Sequence, residues 1–460
     1  MSNREFNLTT REKHVTYSLA LVFSLRMFGL FMLLPIFSVS ASKFSGSTPL
    51  LIGLALGIYG LTSGCLQIPF GLLSDRFNRK YIVIFGLLLF IFGSFINASA
   101  TDITTVIFGR ALQGSGAVGS VILALLSDVT RNEVRTKSMA IIGMSIALSF
   151  VVAMSTGPIL NQYFGLVGIF LITATLAISA LILVIFLVPS PKVQLRYRDR
   201  EFVTKSFFEV IKDFRLNNLY VGMFILHSTL TATFIVIPVL LFKTGSVVLH
   251  SEWKLYMPVL LIAFGLALPL IMYAEKRRKM KQVFCLMILF LGISEMGILA
   301  FYHNIFVVAG CLILFFIAFT FLEAGIPSLV SKFSHPSAKG TALGVSSSLQ
   351  FFGAFFGSGV AGYILSHGNM QYVFEFSIFM LVIWLLLALF MKSPEYSATR
   401  SFRLERVLNT VEAGALCDAL RSTNDFADVE IFPSEKMVYC KVRGKVDYSK
   451  KISELLREQK

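Results

Sequence analysis

Acidic side chains are scarce in this chain: 26 Asp and Glu stand against 41 Lys and Arg in 460 residues. Cysteine is equally uninformative as a ligand set, because Cys65, Cys285, Cys311, Cys417 and Cys440 fall singly with no CxxC or other metal-like spacing. No P-loop and no catalytic triad pattern is found, which argues against ATP-driven pumping and hydrolytic chemistry, and no cofactor or metal is expected. A basic, short apolar and small-residue cleavage pattern is also missing at the start, so the first apolar stretch is expected to be a retained span.

What fills the chain instead is apolar. Hydrophobic residues make up 55% of it, 45 of them Phe, and the mean hydropathy is +0.75. A water-soluble fold would have to expose far more apolar surface than such folds do, so the partner is a lipid bilayer. The hydrocarbon core takes roughly 20 apolar residues per helix. Twelve stretches of that kind can be drawn, at 15–39, 50–72, 80–100, 103–127, 138–160, 166–188, 219–242, 254–274, 282–302, 305–330, 341–365 and 371–391. A Thr9-x-x-Glu12 capping box precedes the first.

The net charge of +15 could suggest nucleic acid, but its placement decides otherwise. Basic residues gather at the N-terminus and in the even-numbered loops, as in Arg76, Arg79 and Lys80, or Lys276 to Lys279, while the opposite side has Lys43, Lys243 and Lys254. Under the positive-inside rule both termini are cytoplasmic, and no nucleic-acid partner is needed. The expected organisation is a cytoplasmic N-terminus (1–14), a six-helix bundle (15–188), a cytoplasmic linker (189–218), a second six-helix bundle (219–391) and a cytoplasmic α+β domain (402–460). Lys137 and Ala140 recur as Lys339 and Ala342, a weak sign of duplicated halves. In the tail, Val411, Ala415, Leu416, Ala419 and Leu420 share a helical face. Val429 with Ile431 and Val438 with Cys440 and Val442 alternate as strands, and Ile452, Leu455 and Leu456 suggest a second helix.

Several residues carry chemistry. Between spans two and three the chain reads Gly71-Leu-Leu-Ser-Asp75-Arg76-Phe-Asn-Arg79-Lys80. Gly71 permits close helix approach, and the charges can form a surface cluster with Asp128 that acts as a conformational latch; the competing reading is ordinary interfacial charge. Span four contains Arg110-Ala-Leu-Gln113-Gly114-Ser-Gly116. An arginine there costs roughly 2.5–3.5 kcal/mol on insertion scales, so it should face a polar cavity or a partner, unless it snorkels to the surface. Glu295 and Glu323 lie inside apolar spans, where a carboxyl is costly to ionise and a change of access can load and release a proton. Glu323, beside Gly325 and Pro327, is the first choice; Glu295 could instead hydrogen-bond a neighbouring helix. His227 could share or gate that proton, or be a satisfied core histidine. Arg26, Met27, Phe31 and Met32 in span one, with Gln113, are candidates to line a forgiving substrate cavity, though such a stripe is also ordinary packing.

The loop-two pattern resembles the G-x-x-x-D-R-x-x-R-K signature of the major facilitator superfamily, and the span-four element resembles its R-x-x-Q-G-x-G motif in proton-coupled members. Gly157-Pro158 in span five is similar to the helix-packing motif of the drug:proton antiporter branch, although Ile159, Leu160 and Asn161 replace the further glycines of that pattern. The resemblance implies two six-helix bundles, a ferredoxin-like βαββαβ tail whose last strand has little room, and proton-driven alternating access. It implies a multi-pass protein of the inner membrane that exports small amphipathic molecules. Substrate, protons and lipid are then its partners, with the tail serving a cytoplasmic regulator or self-association. Two rivals remain at this level: an uptake symporter, and a membrane sensor or scaffold signalling through its tail.

Overall fold

The computed structural model describes residues 8–189, 210–243, 253–334, 339–391, 397–403, 417, 420, 426–432 and 437–443; the side chains of Asp75, Asn132, Glu133, Thr136, Lys243 and Lys339, and those of the strands other than Val438, lie outside that description. The helices are α1 Thr10–Phe31, α2 Phe37–Ser40, α3 Pro49–Arg76, α4 Arg79–Ala98, α5 Ile103–Ser115, α6 Gly119–Val129 and α7 Asn132–Leu187. After the linker come α8 Phe214–Lys243, α9 Trp253–Lys276, α10 Met280–Phe301, α11 Ile305–Phe333, α12 Lys339–His367 and α13 Gln371–Leu389. Lipid leaves a backbone N–H no partner outside its own segment, which is why helices carry nearly all of the apolar chain.

Among the described residues, eleven continuous stretches are long and apolar enough to cross a membrane. One of them has the length of two spans, because Gly165 (φ 62°, ψ −176°) breaks α7 at the junction expected between spans five and six. That left-handed φ suits a residue without Cβ. The described residues thus supply about twelve membrane-length segments.

Three boundaries depart from the pattern for identifiable reasons. The first helix starts at Thr10 rather than 15, since Thr9 accepts from the Glu12 N–H and Glu12 returns a bond to the Thr9 N–H at 2.8 Å. It stops at Phe31, the residue whose carbonyl Pro35 would crowd and leave unbonded, and α2 resumes at Phe37. Span four is divided between α5 and α6, with non-helical Gly116 (φ −77°, ψ 52°) at the break.

Within the N-terminal half α1 lies along α7, α3 along α5, and α4 against α5 and α7; in the C-terminal half α8 packs on α12 and α13, and α11 on α9 and α10. The halves meet chiefly through α3 and α12. Here four glycines of α3 bring the backbones together. A Cβ on Gly53 would lie 2.3 Å from the Ser358 carbonyl oxygen, and one on Gly57 would lie 2.2 Å from Ser358 Oγ and 3.0 Å from Phe355 Cα. At Gly60 it would meet the Phe351 carbonyl oxygen at 2.5 Å, and at Gly64 the Phe352 ring at 2.9 Å. Past Gly64 the contact ends: a Cβ on Gly71 would find only Ser120 Oγ of its own half, at 3.8 Å, and Leu72 is 50% exposed. The halves are closed at the Pro49 end of α3 and separate toward its basic end.

Three antiparallel strands follow the last span: β1 Ser397–Arg403, β2 Phe426–Phe432 and β3 Met437–Arg443, in the order β1-β3-β2. β2 and β3 coincide with the alternating stretches, while β1 straddles the boundary at 402 and has no alternating apolar pattern to reveal it. The expected tail helices lie almost wholly outside the described residues, and so does any fourth strand of a ferredoxin-like module.

Replacing Gly57 with Leu should force α3 from α12, because neither backbone can yield. Overpacking of this kind costs about 1–3 kcal/mol, enough to shift a two-state equilibrium by about 5- to 150-fold. Spin labels at Ser45 and Ser366, on a background without native cysteines, should report a longer distance in this variant. An unchanged distance would mean that the glycine contact does not hold this end closed.

Candidate functional site

Glu323 stands two-thirds of the way along α11, and the structure brings it to His227 of α8: Glu323 Oε2 lies 3.4 Å from His227 Nε2. The carboxylate side chain keeps 35% of its exposure and the imidazole 10%. Gln350 of α12, which the sequence reading passed over, joins them, its Nε2 donating to Glu323 Oε1 at 3.1 Å and lying 2.8 Å from His227 Nε2. Its signal was available: an amide inside an otherwise small and apolar span. His227 Nδ1 sits 3.2 Å from the Met223 carbonyl oxygen.

Aromatic rings adjoin this cluster. Phe319 meets the His227 ring edge-on at 5.7 Å and stacks on Phe150 at 5.9 Å; Phe150 meets Phe31 at 4.9 Å. Phe31 and Phe150 belong to the N-terminal half and Phe319 to the C-terminal half, so the rings bridge the two beside the acid. Such edge and offset contacts are worth about 0.5–1.5 kcal/mol beyond burial.

Glu295 is placed elsewhere. It is wholly buried, and Thr233 Oγ1 of α8 touches its Oε1 at 2.6 Å while also lying 2.7 Å from the Thr229 carbonyl oxygen. Among the described residues, Glu295 Oε2 has no hydrogen-bond partner. This arrangement ties α10 to α8 through Glu295 and Thr233.

The arginines of the N-terminal half form a separate, dry cluster. Arg110 donates to the Ala55 and Leu56 carbonyls of α3 at 3.3 and 3.1 Å and to Gln113 Oε1 at 3.2 Å; its guanidinium lies 5.1 Å from the Tyr59 ring centre. Arg26 donates to Tyr59 Oη at 2.8 Å and to the Gly116 carbonyl at 2.9 Å, the acceptor freed by the break in span four. Gln113 in turn donates to Ser94 Oγ at 2.7 Å. Both arginines are 2% exposed, so carbonyl oxygens and ring faces replace the water they lose. Of the five residues expected to line a substrate cavity, Arg26, Met27, Met32 and Gln113 are buried in helix packing in this conformation, and Phe31 keeps partial exposure. Arg110 faces polar partners in its own half, with no acid among them.

The glycines explain how these helices approach. A Cβ on Gly114 would lie 2.3 Å from the Tyr59 carbonyl oxygen, one on Gly116 2.3 Å from that of Gly86, and one on Gly157 2.6 Å from that of Met32. Pro158 follows inside α7 without breaking it.

At the basic end, Arg79 pairs with Asp128 at 3.1 Å, both largely buried, and Lys80 donates to the Ile185 carbonyl at 2.8 Å. Arg76 is exposed. The Asp75 side chain, expected in the same latch, lies outside the described residues. A second pair was not foreseen: Glu12 receives Arg131 through Nε at 2.9 Å and Nη2 at 3.1 Å, and also its backbone N–H at 3.0 Å. The capping box marked Glu12, but nothing in the sequence links residues 119 apart.

With this geometry in hand, the chain can be compared with known proteins. The family model of the Major Facilitator Superfamily matches residues 19–251 and 250–425. Inner membrane transport protein YajR of Escherichia coli (strain K12) is 39% identical over 454 residues, covering 99% of each chain. An uncharacterized transporter of Buchnera aphidicola subsp. Acyrthosiphon pisum is 39% identical over 350 residues, 75% of this chain and 89% of its own. Among solved structures, a bacterial homolog of the human lysosomal transporter Spinster, inward-facing and unoccupied, superposes with a TM-score of 0.67 at 13% identity, over 85% of this chain and all of its own. The nucleoside transporter NupG gives 0.66 at 14%, over 82% and 99%. The fold is shared with both, and the family match together with the full-length relative settles the identity: this chain is a membrane transporter of the major facilitator superfamily.

Proposed function

We propose that the chain is a proton-coupled exporter of small amphipathic molecules in the inner membrane, working by alternating access. One observation carries this reading: Glu323, beside His227, is an acid at membrane depth whose side chain keeps about a third of its exposure, on the face where aromatic rings of the two halves converge. An acid in that position is costly to keep charged without a partner, so proton and substrate have reason to alternate there. The inner-membrane site is drawn from the YajR likeness.

In the conformation described, the glycine contact of α3 with α12 closes one end of the molecule, and the basic end is the open one. Basic loops face the cytoplasm under the positive-inside rule, which makes this an inward-open form. A substrate enters from that side among Phe31, Phe150 and Phe319. Rocking of the halves then exposes the site outward, where a proton reaches Glu323 and the substrate leaves. Arg79 and Asp128, already paired in this form, hold the basic ends of α4 and α6 in register as part of the surface that the C-terminal half approaches in the other state.

Reconstitution tests the reading directly. In liposomes with an imposed pH gradient, wild-type protein should couple proton movement to the flux of a lipophilic test compound, and Glu323→Gln should abolish coupling while still binding that compound. Undiminished coupling in the variant would exclude Glu323 as the proton carrier. For the latch, Arg79→Asp and Asp128→Arg should each slow exchange, and their combination should recover part of the loss, with an interaction energy of about 0.5–3 kcal/mol. Strict additivity in that double-mutant cycle would show the pair to be ordinary surface charge.

A further inference from the structure

Gln350 touches both titratable groups of the site, and a count of its donors shows that they cannot gain a proton without disturbing it. A glutamine amide nitrogen carries two hydrogens. Gln350 Nε2 lies 3.1 Å from Glu323 Oε1 and 2.8 Å from His227 Nε2, so each hydrogen finds an acceptor provided that His227 Nε2 presents a lone pair. The other ring nitrogen is 3.2 Å from the Met223 carbonyl oxygen, which can only accept, so the imidazole hydrogen belongs on Nδ1. The three contacts agree on one arrangement, in which Glu323 Oε2 lies 3.4 Å from the Nε2 lone pair with no hydrogen between them and Gln350 is the bridge that joins the two groups.

A proton joining the pair breaks it. Placed on His227 Nε2, the proton sets two donors facing each other at the Gln350 contact. Placed on Glu323 Oε2, which is 3.4 Å from Nε2, it claims the same lone pair. On Nε2 the proton removes the N–H···Nε2 bond outright, and on Oε2 its O–H, when turned toward the ring, competes for the same lone pair; in both cases the amide is driven to turn over to offer its oxygen or to swing away. Among the described residues in contact with His227, Glu323 of α11 is the titratable one; α12 contributes the amide and α8 the Met223 carbonyl.

The next residue of α12 is where the halves touch. A Cβ on Gly60 of α3 would lie 2.5 Å from the Phe351 carbonyl oxygen, and the Phe351 ring meets Tyr59 at 6.1 Å, the tyrosine that holds Arg26. On its other side α12 is equally tight: a Cβ on Gly353 would lie 2.2 Å from the Phe224 carbonyl oxygen of α8. A helix clamped between two backbones responds to a push as a unit.

We infer that Gln350 is the positioning residue that reads protonation of the Glu323–His227 pair and transmits it, through α12, to the α3 contact that closes one end of the transporter. This rests on the reading of that pair as the proton site. Its test is the Ser45–Ser366 spin-label distance of the full chain in nanodiscs, followed between about pH 5 and about pH 8. Wild-type protein should show a pH-driven shift, and Glu323→Gln should lose it. Gln350→Leu, which keeps bulk and has no donors, should lose it too, while Gln350→Met serves as a second variant of nearly equal length; thermal unfolding verifies that each is folded. A pH-driven shift that disappears in Glu323→Gln yet persists in folded Gln350→Leu or Gln350→Met overturns the role of Gln350 alone. No shift in the wild type, or one untouched by Glu323→Gln, overturns the proton-site reading beneath it.

Discussion

A charged or strongly polar group carried to membrane depth must find its partners inside the protein, and most of the irregular features of this transporter follow from that constraint. Arg26 needs an acceptor where lipid offers none. Span four gives up a turn of helix at Gly116, and the carbonyl released there is the one Arg26 takes at 2.9 Å. Arg110 likewise takes carbonyls of α3 at residues 55 and 56, and Gly114 lets α5 come close enough for the reach. The arginines therefore fasten α1, α3 and the end of α5 together. Among the described residues neither guanidinium meets a carboxylate, and carbonyl oxygens and ring faces on these helices offset the cost of burying the charge.

The C-terminal half meets the same constraint with opposite charge and a different outcome. Glu295 is sealed between α8 and α10 with a single hydroxyl. Glu323 keeps a third of its exposure and shares a histidine and an amide contributed by two other helices. A fully buried group in fixed contacts resists change, whereas a partly exposed side chain whose partners sit on separate helices links any change in its own contacts to the spacing of those helices. The buried polar groups of the N-terminal half are thus fixed in contacts among its own helices, whereas Glu323 in the C-terminal half meets partners on two other helices.

Much of this architecture was legible from residue type and spacing. Apolar run length gave the passes, including the division of α7 at Gly165, because hydrocarbon thickness fixes helix length independently of tertiary detail. The loop-two and span-four motifs led to the family for the same local reason. What the sequence could not give was direction. Arg26 and Gln113 have the residue types of a polar cavity, yet they point into packing, since the helix rotation that decides this is set by glycine contacts many residues away. The Glu12–Arg131 pair and strand β1 were hidden likewise, one by sequence distance and the other by a polar stretch with no period.

The placement of glycine also bears on why proton and conformation should be linked at all. Side chains at a helix interface can reshuffle rotamers and absorb a small displacement, but backbone against backbone has no such slack. α12 is packed in this way on both sides, through Gly353 and Gly357 against α8 and through Gly53, Gly57 and Gly60 of α3 against its own backbone. Any change in the spacing of α8, α11 and α12 at the acid therefore reaches α3 undamped. A looser interface, built from leucines, would give comparable burial and let the same displacement dissipate.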